Sequence, residues 1–300
     1  MLAIIEDVHA GLPWREAVGQ RYAVRNPWLH RVVTDPRRDL FFRVNPPPDG
    51  SRVLDIGAGW GQVALPLAQR GFVCALEPTP ERLGFIRAAA RQERLTDRMW
   101  FLQADLLDLA FEPVFDLVCC IGVLEWVPKF APHLAPMDAQ LTFLRQARAA
   151  LRQGGRLVVG IENRLGLKYL LGAPDDHLDR AGIGTYDLEL ASRRWKEAGG
   201  GSLPAVTYTR AEYTELLTRA GFSEIRFWTS FPDYKLPDHI VPWGAETDRL
   251  LESYSTIEHD GIRGEPLPFQ DELRSHYRSL ARLGIGSDFA PSFFIEASTG

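Results

Sequence analysis

The chain is short of cysteine, of long apolar runs and of clustered positive charge, and each shortage removes a class of protein. Three cysteines, Cys74, Cys119 and Cys120, occur in 300 residues. An odd number without a repeating spacing suits neither a disulfide framework nor a zinc ligand set. Cys119 and Cys120 are neighbours in an apolar run, and adjacent strand residues point to opposite faces. All three read as buried thiols of a reducing, cytoplasmic compartment. The longest apolar run, Leu117 to Leu124, is far shorter than the roughly 20 residues of a membrane helix, so no span is expected. Met1 to Ala10 carries acids and no basic stretch, so no secretory leader is expected either. The net charge is −5, and the basic residues are scattered. Arg37-Arg38 and Arg193-Arg194 are pairs, not a patch, which speaks against a nucleic-acid partner. His9, His30, His133, His239, His259 and His276 keep no metal-ligand spacing, and no metal is expected. No repeat is visible, and nothing in the sequence fixes an oligomeric state.

What is present is an ordinary apolar fraction, 45%, and one stretch around which the rest is arranged. Val53-Leu54-Asp55-Ile56-Gly57-Ala58-Gly59-Trp60-Gly61 reads as a buried strand that stops in a glycine turn and passes into a helix over 62–70. Such a junction gathers free backbone N–H groups at one point, and glycines let a ligand come close to them. A dinucleotide fingerprint needs G-x-G-x-x-G. Here the third position of that fingerprint is Gln62, and Asp55 precedes the first glycine. A carboxylate there repels a pyrophosphate and suits an ammonium or sulfonium group.

Downstream, strands and helices alternate, which predicts a parallel sheet. Strands are expected at 52–56, 72–77, 99–103, 115–121 and 156–161. Helices are expected over 80–94, with Leu83, Ile86 and Ala90 on one face, and over 139–152, stopped by Gly154-Gly155. Pro66 is tolerable only if the first core helix begins late or bends. Before the core, helical pieces are expected at 12–25 and 28–43. After it, a long irregular stretch covers 162–206. A helix at 210–220 and a strand at 223–229 follow. A second insert covers 231–291 with a helix at 270–283, and the chain closes with a strand at 292–297.

From Val53 to Ile161 the order and spacing of the strand ends resemble the class I S-adenosylmethionine (SAM)-dependent methyltransferases. The resemblance implies an α/β fold: a Rossmann-like, doubly wound, seven-stranded, mostly parallel sheet, with the closing strand slotted antiparallel between two earlier ones. Residues 1–45 would be an N-terminal helical lid, with Tyr22, Arg25 and Trp28 as its contacts. Residues 46–300 would be the SAM-binding core, with the inserts 162–206 and 231–291 forming the acceptor side. It implies SAM as cofactor, held by Asp55, Gly57, Ala58, Gly59 and Gly61 in the turn. Glu77 would take the ribose hydroxyls, Asp105 and Leu106 the adenine, and Ile121 and Gly122 the methionine end. Each has a structural alternative, such as Glu77 capping a helix or Asp105 capping a turn.

Methyl transfer to a hydroxyl also needs a base near its proton. Glu125, His177 and Tyr234 are the candidates for the chemistry. In Pro174-Asp175-Asp176-His177 the neighbouring acids should raise the imidazole pKa. Glu162 and Asn163 are expected to shape the pocket, with Tyr186, Tyr208, Asp233 and Lys235 in the inserts. Arg164 and Lys168 are candidates to hold an anionic acceptor. The segments 163–169 and 231–237 loosely resemble parts of bacterial methyltransferases associated with glycan or polysaccharide assembly, which implies transfer to oxygen of a small molecule, sugar or sugar-phosphate. Two other readings stay open: a non-catalytic SAM-binding partner subunit, and an NAD(P)-dependent oxidoreductase, against which Asp55 and Gln62 speak.

Overall fold

A computed structural model describes residues 1–253, 258–261 and 264–299. Contacts divide it into two compact units: Met1–Ile121 with Gln146–Val158 and the C-terminal end, and Gly122–Arg145 with Val159–Ala297.

The first unit opens with helices α1 (Leu2–His9), α2 (Trp14–Tyr22), α3 (Pro27–Thr34) and, after a 3₁₀ turn at Pro36–Asp39, α4 (Leu40–Val44). The helix expected over 12–25 is thus α2, and the piece expected over 28–43 is broken in two. Asp35 breaks it: the residue before Pro36 is extended, with ψ 127°, as the proline ring requires. α1 was not anticipated.

The core then alternates through β1 (Arg52–Ile56), α5 (Ala64–Ala68), β2 (Phe72–Leu76), α6 (Pro80–Gln92), β3 (Met99–Leu102) and β4 (Phe115–Ile121). β1 pairs in parallel with β2 and β4, and β2 pairs in parallel with β3. Four of the five residues of β1 are buried, the continuous pattern of a strand covered on both faces. α5 does begin late, so Pro66 falls in its first turn, where an N–H has no partner inside the helix. Pro80 opens α6, where its missing N–H costs nothing.

The N-terminal helices are tied to α6. Gln92 Nε2 donates to the carbonyls of Val8 (3.0 Å) and Leu12 (2.7 Å), and its Oε1 accepts from the Trp14 N–H (2.9 Å). Trp14 packs edge-on to Phe85 (5.8 Å), Phe85 on Trp60 (5.1 Å), and Trp60 on Tyr22 (5.9 Å). The glycine turn at 57–61 therefore lies under a ladder of rings anchored in α2.

The chain continues through a 3₁₀ turn at Leu124–Trp126, α7 (Val127–Phe130), α8 (Pro136–Ala150) and β5 (Leu151–Glu162). Gly154-Gly155 do not stop the helix as expected. It ends at Ala150, and both glycines lie inside the longer β5. A Cβ on Gly155 would stand 2.9 Å from the Phe115 carbonyl, so close backbone approach, not helix ending, requires that residue.

The second unit adds α9 (Leu167–Leu170), α10 (Leu188–Glu197), α11 (Arg210–Arg219), β6 (Glu224–Phe231), β7 (His239–Pro242), α12 (Ala245–Glu252), α13 (Gln270–Arg282) and β8 (Ser292–Ser298). α11 starts in a capping box: the Thr209 hydroxyl accepts from the Glu212 N–H, and the Glu212 carboxylate accepts from the Thr209 N–H, which satisfies two end donors at once. α10 falls in the stretch read as irregular. Asp187 caps it by accepting from Leu190 N (2.9 Å).

The strands follow the order β3-β2-β1-β4-β5-β8-β6-β7, with β8 between β5 and β6 as expected. Among the described residues the sheet has eight strands, not seven. The addition is β7, antiparallel to β6. It is four residues long and ends on Pro242, too short for an alternation signal and bearing a proline tolerated only at a sheet edge. Residues 254–257 and 262–263 of the second insert lie outside the described residues. Among the described residues no helix is long and apolar enough to cross a membrane.

Candidate active site

In the first unit, the turn after β1 bends through three glycines in left-handed conformation: Gly57 (φ +66°), Gly59 (+59°) and Gly61 (+79°). An L side chain at such angles costs roughly 1–2 kcal/mol. The N–H groups of Gly57 (2.8 Å) and Ala58 (3.0 Å) both donate to the Leu76 carbonyl, which fastens the turn to the end of β2. A Cβ on Gly61 would press on Leu65 (3.2 Å) and Ile86 (3.3 Å), whereas one on Gly59 would meet nothing closer than Gln62 Oε1 at 3.4 Å. Gly61 serves packing, and Gly59 faces the open side.

Two carboxylates flank this turn. Glu77, just past β2 and 2% exposed, accepts from Gly59 N on Oε2 (2.9 Å) and from Thr79 N on Oε1 (3.0 Å). Each oxygen keeps a lone pair, so capping the turn does not prevent it from receiving a vicinal diol. Asp55 lies inside β1 at 3% exposure. Burial pushes its carboxyl up to about 7, Arg38 pulls it down, Glu77 pushes it further up, and a bond from the Ala64 N–H lowers it. Its Oδ2 has no hydrogen-bond partner among the described residues. A buried acceptor left open beside a glycine turn fits the ammonium of SAM, and Glu77 fits its ribose. Asp105 Oδ1 caps the short turn at Leu106–Asp108 through Leu107 N (2.9 Å), the alternative weighed for it above. Leu106 and Ile121 are buried.

The second unit gathers a different set. Glu125 stands in the turn after β4, Glu162 at the end of β5, His177 between α9 and α10, and Asp233 and Lys235 in the loop after β6. His177 Nε2 lies 3.6 Å from Glu125 Oε1 and 3.5 Å from Glu162 Oε2, and its Nδ1 lies 3.5 Å from Asp175 Oδ1. Lys235 Nζ bonds Glu162 Oε1 and reaches Asp176 Oδ2 (2.9 Å) and Asp233 Oδ1 (3.4 Å). Lys168 Nζ lies 3.4 Å from Asp233 and 3.6 Å from Asp176. All of these acids and cations are buried or nearly so.

Burial opposes charge on His177, yet Glu162, Asp175 and Glu125 outweigh it and hold its pKa well above the usual imidazole value. The neighbouring acids act in the direction expected from sequence. Burial raises Glu162 against the pull of Lys235 and His177. Asp176 is held well below the carboxylate range despite burial, because Lys168 and Lys235 both face it. Glu125 is 1% exposed, and among the described residues neither of its oxygens has a partner within hydrogen-bond distance, His177 Nε2 standing at 3.6 Å. Tyr234 lies beneath Lys235, whose Nζ is 4.5 Å above its ring. Its hydroxyl would be 2.8 Å from a Cβ on Gly122 (φ +74°).

Several expectations resolve differently. Asn163 is a clamp: its Nδ2 donates to the Asp288 and Ala290 carbonyls, both at 2.8 Å. Tyr208 donates to Gln140 Oε1 (2.8 Å). Arg164 and Lys168 do not wait for an anion. Arg164 grips both oxygens of Glu212 (2.8 and 2.9 Å), and Lys168 is spent on two aspartates. Glu162, expected to shape the pocket, lies between His177 (3.5 Å) and Lys235; the acid at a strand end was its signal in the sequence. A cavity of about 90 Å³, lined by His177, Tyr208, Leu178, Leu203 and Val206, opens within the same unit.

Residues 54–159 match the methyltransferase domain family. The ubiquinone/menaquinone biosynthesis C-methyltransferase of Rhizobium rhizogenes is 29% identical over 47% of this chain and 54% of its own. The ubiquinone biosynthesis O-methyltransferase of Aeromonas salmonicida is 29% identical over 49% and 54%. The tRNA 5-carboxymethoxyuridine methyltransferase of Escherichia coli is 32% identical over 40% and 43%, so likeness to relatives does not support the expected absence of a nucleic-acid partner. The chain spans about half the length of the curated relatives it matches. Among solved structures, a Thermotoga maritima SAM-dependent methyltransferase, described as a possible histamine N-methyltransferase, superposes with a TM-score of 0.50 at 16% identity, over 94% of this chain and 99% of that one. The matched segment shows a methyltransferase domain over residues 54–159, and the strand order is that of the Rossmann-like class I methyltransferase fold.

Proposed function

We propose that the chain transfers a methyl group from SAM to an oxygen of a small, uncharged, hydroxyl-bearing molecule, with sugars among the candidates. The observation that carries the oxygen is Glu125, a fully buried carboxylate with no hydrogen bond to either oxygen, beside a cationic His177. A hydroxyl acceptor must shed a proton as it attacks, and Glu125 is a buried acceptor with both oxygens open to take it. His177 Nε2 stands 3.6 Å from its Oε1. Tyr234 buttresses the Gly122 backbone, and the helices of residues 1–45 act as a lid on the donor side through Tyr22 and Trp60. When bound, SAM supplies a methyl on a sulfonium whose leaving group departs neutral, so the residues chiefly set distance and angle.

The preference for an uncharged acceptor follows from how the cations are used. Arg164, Lys168 and Lys235 are all held by acids, which leaves a phosphate or a polyanion little to bind. The relatives named as O-methyltransferases of ubiquinone biosynthesis support transfer to oxygen.

The test is donor binding by calorimetry, then transfer of labelled methyl to a panel of neutral hydroxyl compounds, sugar phosphates and tRNA. Label on neutral hydroxyls is expected. Label confined to sugar phosphates or tRNA overturns the acceptor class, and donor binding without transfer to any of them favours the non-catalytic subunit. A nicotinamide dinucleotide that displaces SAM favours the oxidoreductase. Gly59→Arg places a long side chain on the open face of the turn and should weaken SAM at least about 100-fold, roughly 2.7 kcal/mol, with an unchanged circular dichroism spectrum.

A further inference from the structure

We propose that Glu125, Glu162 and His177 form a site for one first-row divalent cation of the zinc class. Three observations of the second unit converge on it. First, one oxygen from each glutamate and one imidazole nitrogen lie within 4.8 Å of one another. The 3.5 and 3.6 Å separations from Nε2 to the two carboxylates come near the ~3.4 Å edge of a tetrahedron with bonds of about 2.1 Å. Second, the acceptors are open: among the described residues both Glu125 oxygens and Glu162 Oε2 have no partner within hydrogen-bond distance, although the two residues are 1% and 2% exposed. Buried carboxylate oxygens left this way are costly unless a charge meets them.

Third, the imidazole is oriented from behind. Asp175 Oδ1 stands 3.5 Å from Nδ1 and is itself fixed by the N–H groups of His177 (2.8 Å) and Leu178 (3.0 Å). A carboxylate behind the remote nitrogen is the usual support of a metal-bound histidine, because it directs the lone pair of the other nitrogen to the metal.

Two carboxylates with one imidazole favour zinc, iron or manganese over calcium. Three protein ligands leave a position open, as in zinc sites that bind an oxygen of water or substrate. His177 also lines the 90 Å³ cavity, which gives an ion and an acceptor hydroxyl a way in. The proposal shares residues with the acceptor reading above but does not depend on methyl transfer.

The full chain is stripped with chelator and titrated with Co²⁺, followed by visible ligand-field absorption, and then with Zn²⁺ in competition. One equivalent of Co²⁺ should bind with intense tetrahedral bands that Zn²⁺ abolishes. Glu125→Gln and His177→Asn should lose the bands, and Asp175→Asn should weaken binding about 10–100-fold. A folded parent protein that shows no one-equivalent transition overturns the proposal. So does a Glu125→Gln variant that melts like the parent and still gives its bands. If Glu125→Gln fails to fold, the parent titration and Asp175→Asn decide. SAM calorimetry on the same stripped protein separates the two readings, since lost metal binding with intact donor binding sinks only the metal site.

Discussion

The two units bury carboxylates in opposite ways. In the first, Glu77 is met by backbone: the Gly59 and Thr79 N–H groups occupy its two oxygens, and Arg82 stands off at 3.7 Å. In the second, Glu162, Asp176 and Asp233 are met by side chains, with Lys235 touching all three. Backbone donors are fixed by the turn that carries them and ask for no second charge. A buried cation must itself be desolvated, and its removal strands every acid around it. The acid of the first unit is thus held by parts close to it in sequence. The insert half is a network assembled from three distant segments, and each member depends on the others.

The sharpest way to break this contrast is Lys235→Met. It removes the shared cation at little change in volume, and the loss should be about 3–5 kcal/mol, the cost of leaving a buried charge uncompensated. Urea unfolding measures it. A loss below 1 kcal/mol would show that water already reaches Glu162 and Asp176, and the network would cease to differ from a surface cluster.

Glu77→Ala should cost less. Two backbone N–H groups lose their acceptor, for about 1–3 kcal/mol of stability, and SAM affinity should fall by about 1–3 kcal/mol as the charge-assisted bonds to the ribose go. Glu77→Gln sharpens the comparison, because its single carbonyl oxygen can keep one of the two backbone bonds. It should recover part of the stability and little of the affinity. An Ala variant with unchanged SAM affinity would remove Glu77 from the ribose site.

The same contrast explains what could be read from sequence. β1 and β4 were placed to the residue because a doubly covered parallel strand is a continuous apolar run bounded by polar residues. The glycine turn and Glu77 follow at fixed offsets along the chain. β7 escaped notice because four residues ending in proline carry no period. α10 escaped because its charged sequence, Leu188 to Glu197, sits among glycines and aspartates that mask its Asp187 cap. Glu125 and His177 were legible as residue types, and His177's raised pKa followed from its acidic neighbours. The largest favourable contribution to that shift comes from Glu162, fifteen positions away and brought close only by the fold. Lys235 joins from farther still, so no local pattern announced the network, and Arg164 and Lys168 looked free because their acids lie in other segments.

The smallest expected effect tests whether the open oxygen of Asp55 serves the donor. Its carboxyl is raised by burial to about 7 in the free protein, against about 3.9 in an unfolded chain. An acid with a raised folded pKa favours the fold while it is neutral. That contribution is complete below the unfolded value and is lost as pH climbs through about 7. Asp55→Asn should therefore match the parent near pH 4 and exceed its stability at pH 8. Binding runs the other way. The SAM ammonium needs the ionised carboxylate, so parent affinity should fall about fivefold between pH 7 and pH 6, roughly 1 kcal/mol, and level off above 8, whereas the Asn variant binds weakly and without that slope. Calorimetry at four pH values decides it. A parent affinity flat across this range would mean that Asp55 is simply the cap of α5, held by the Ala64 N–H, and that the ammonium is bound elsewhere along the turn.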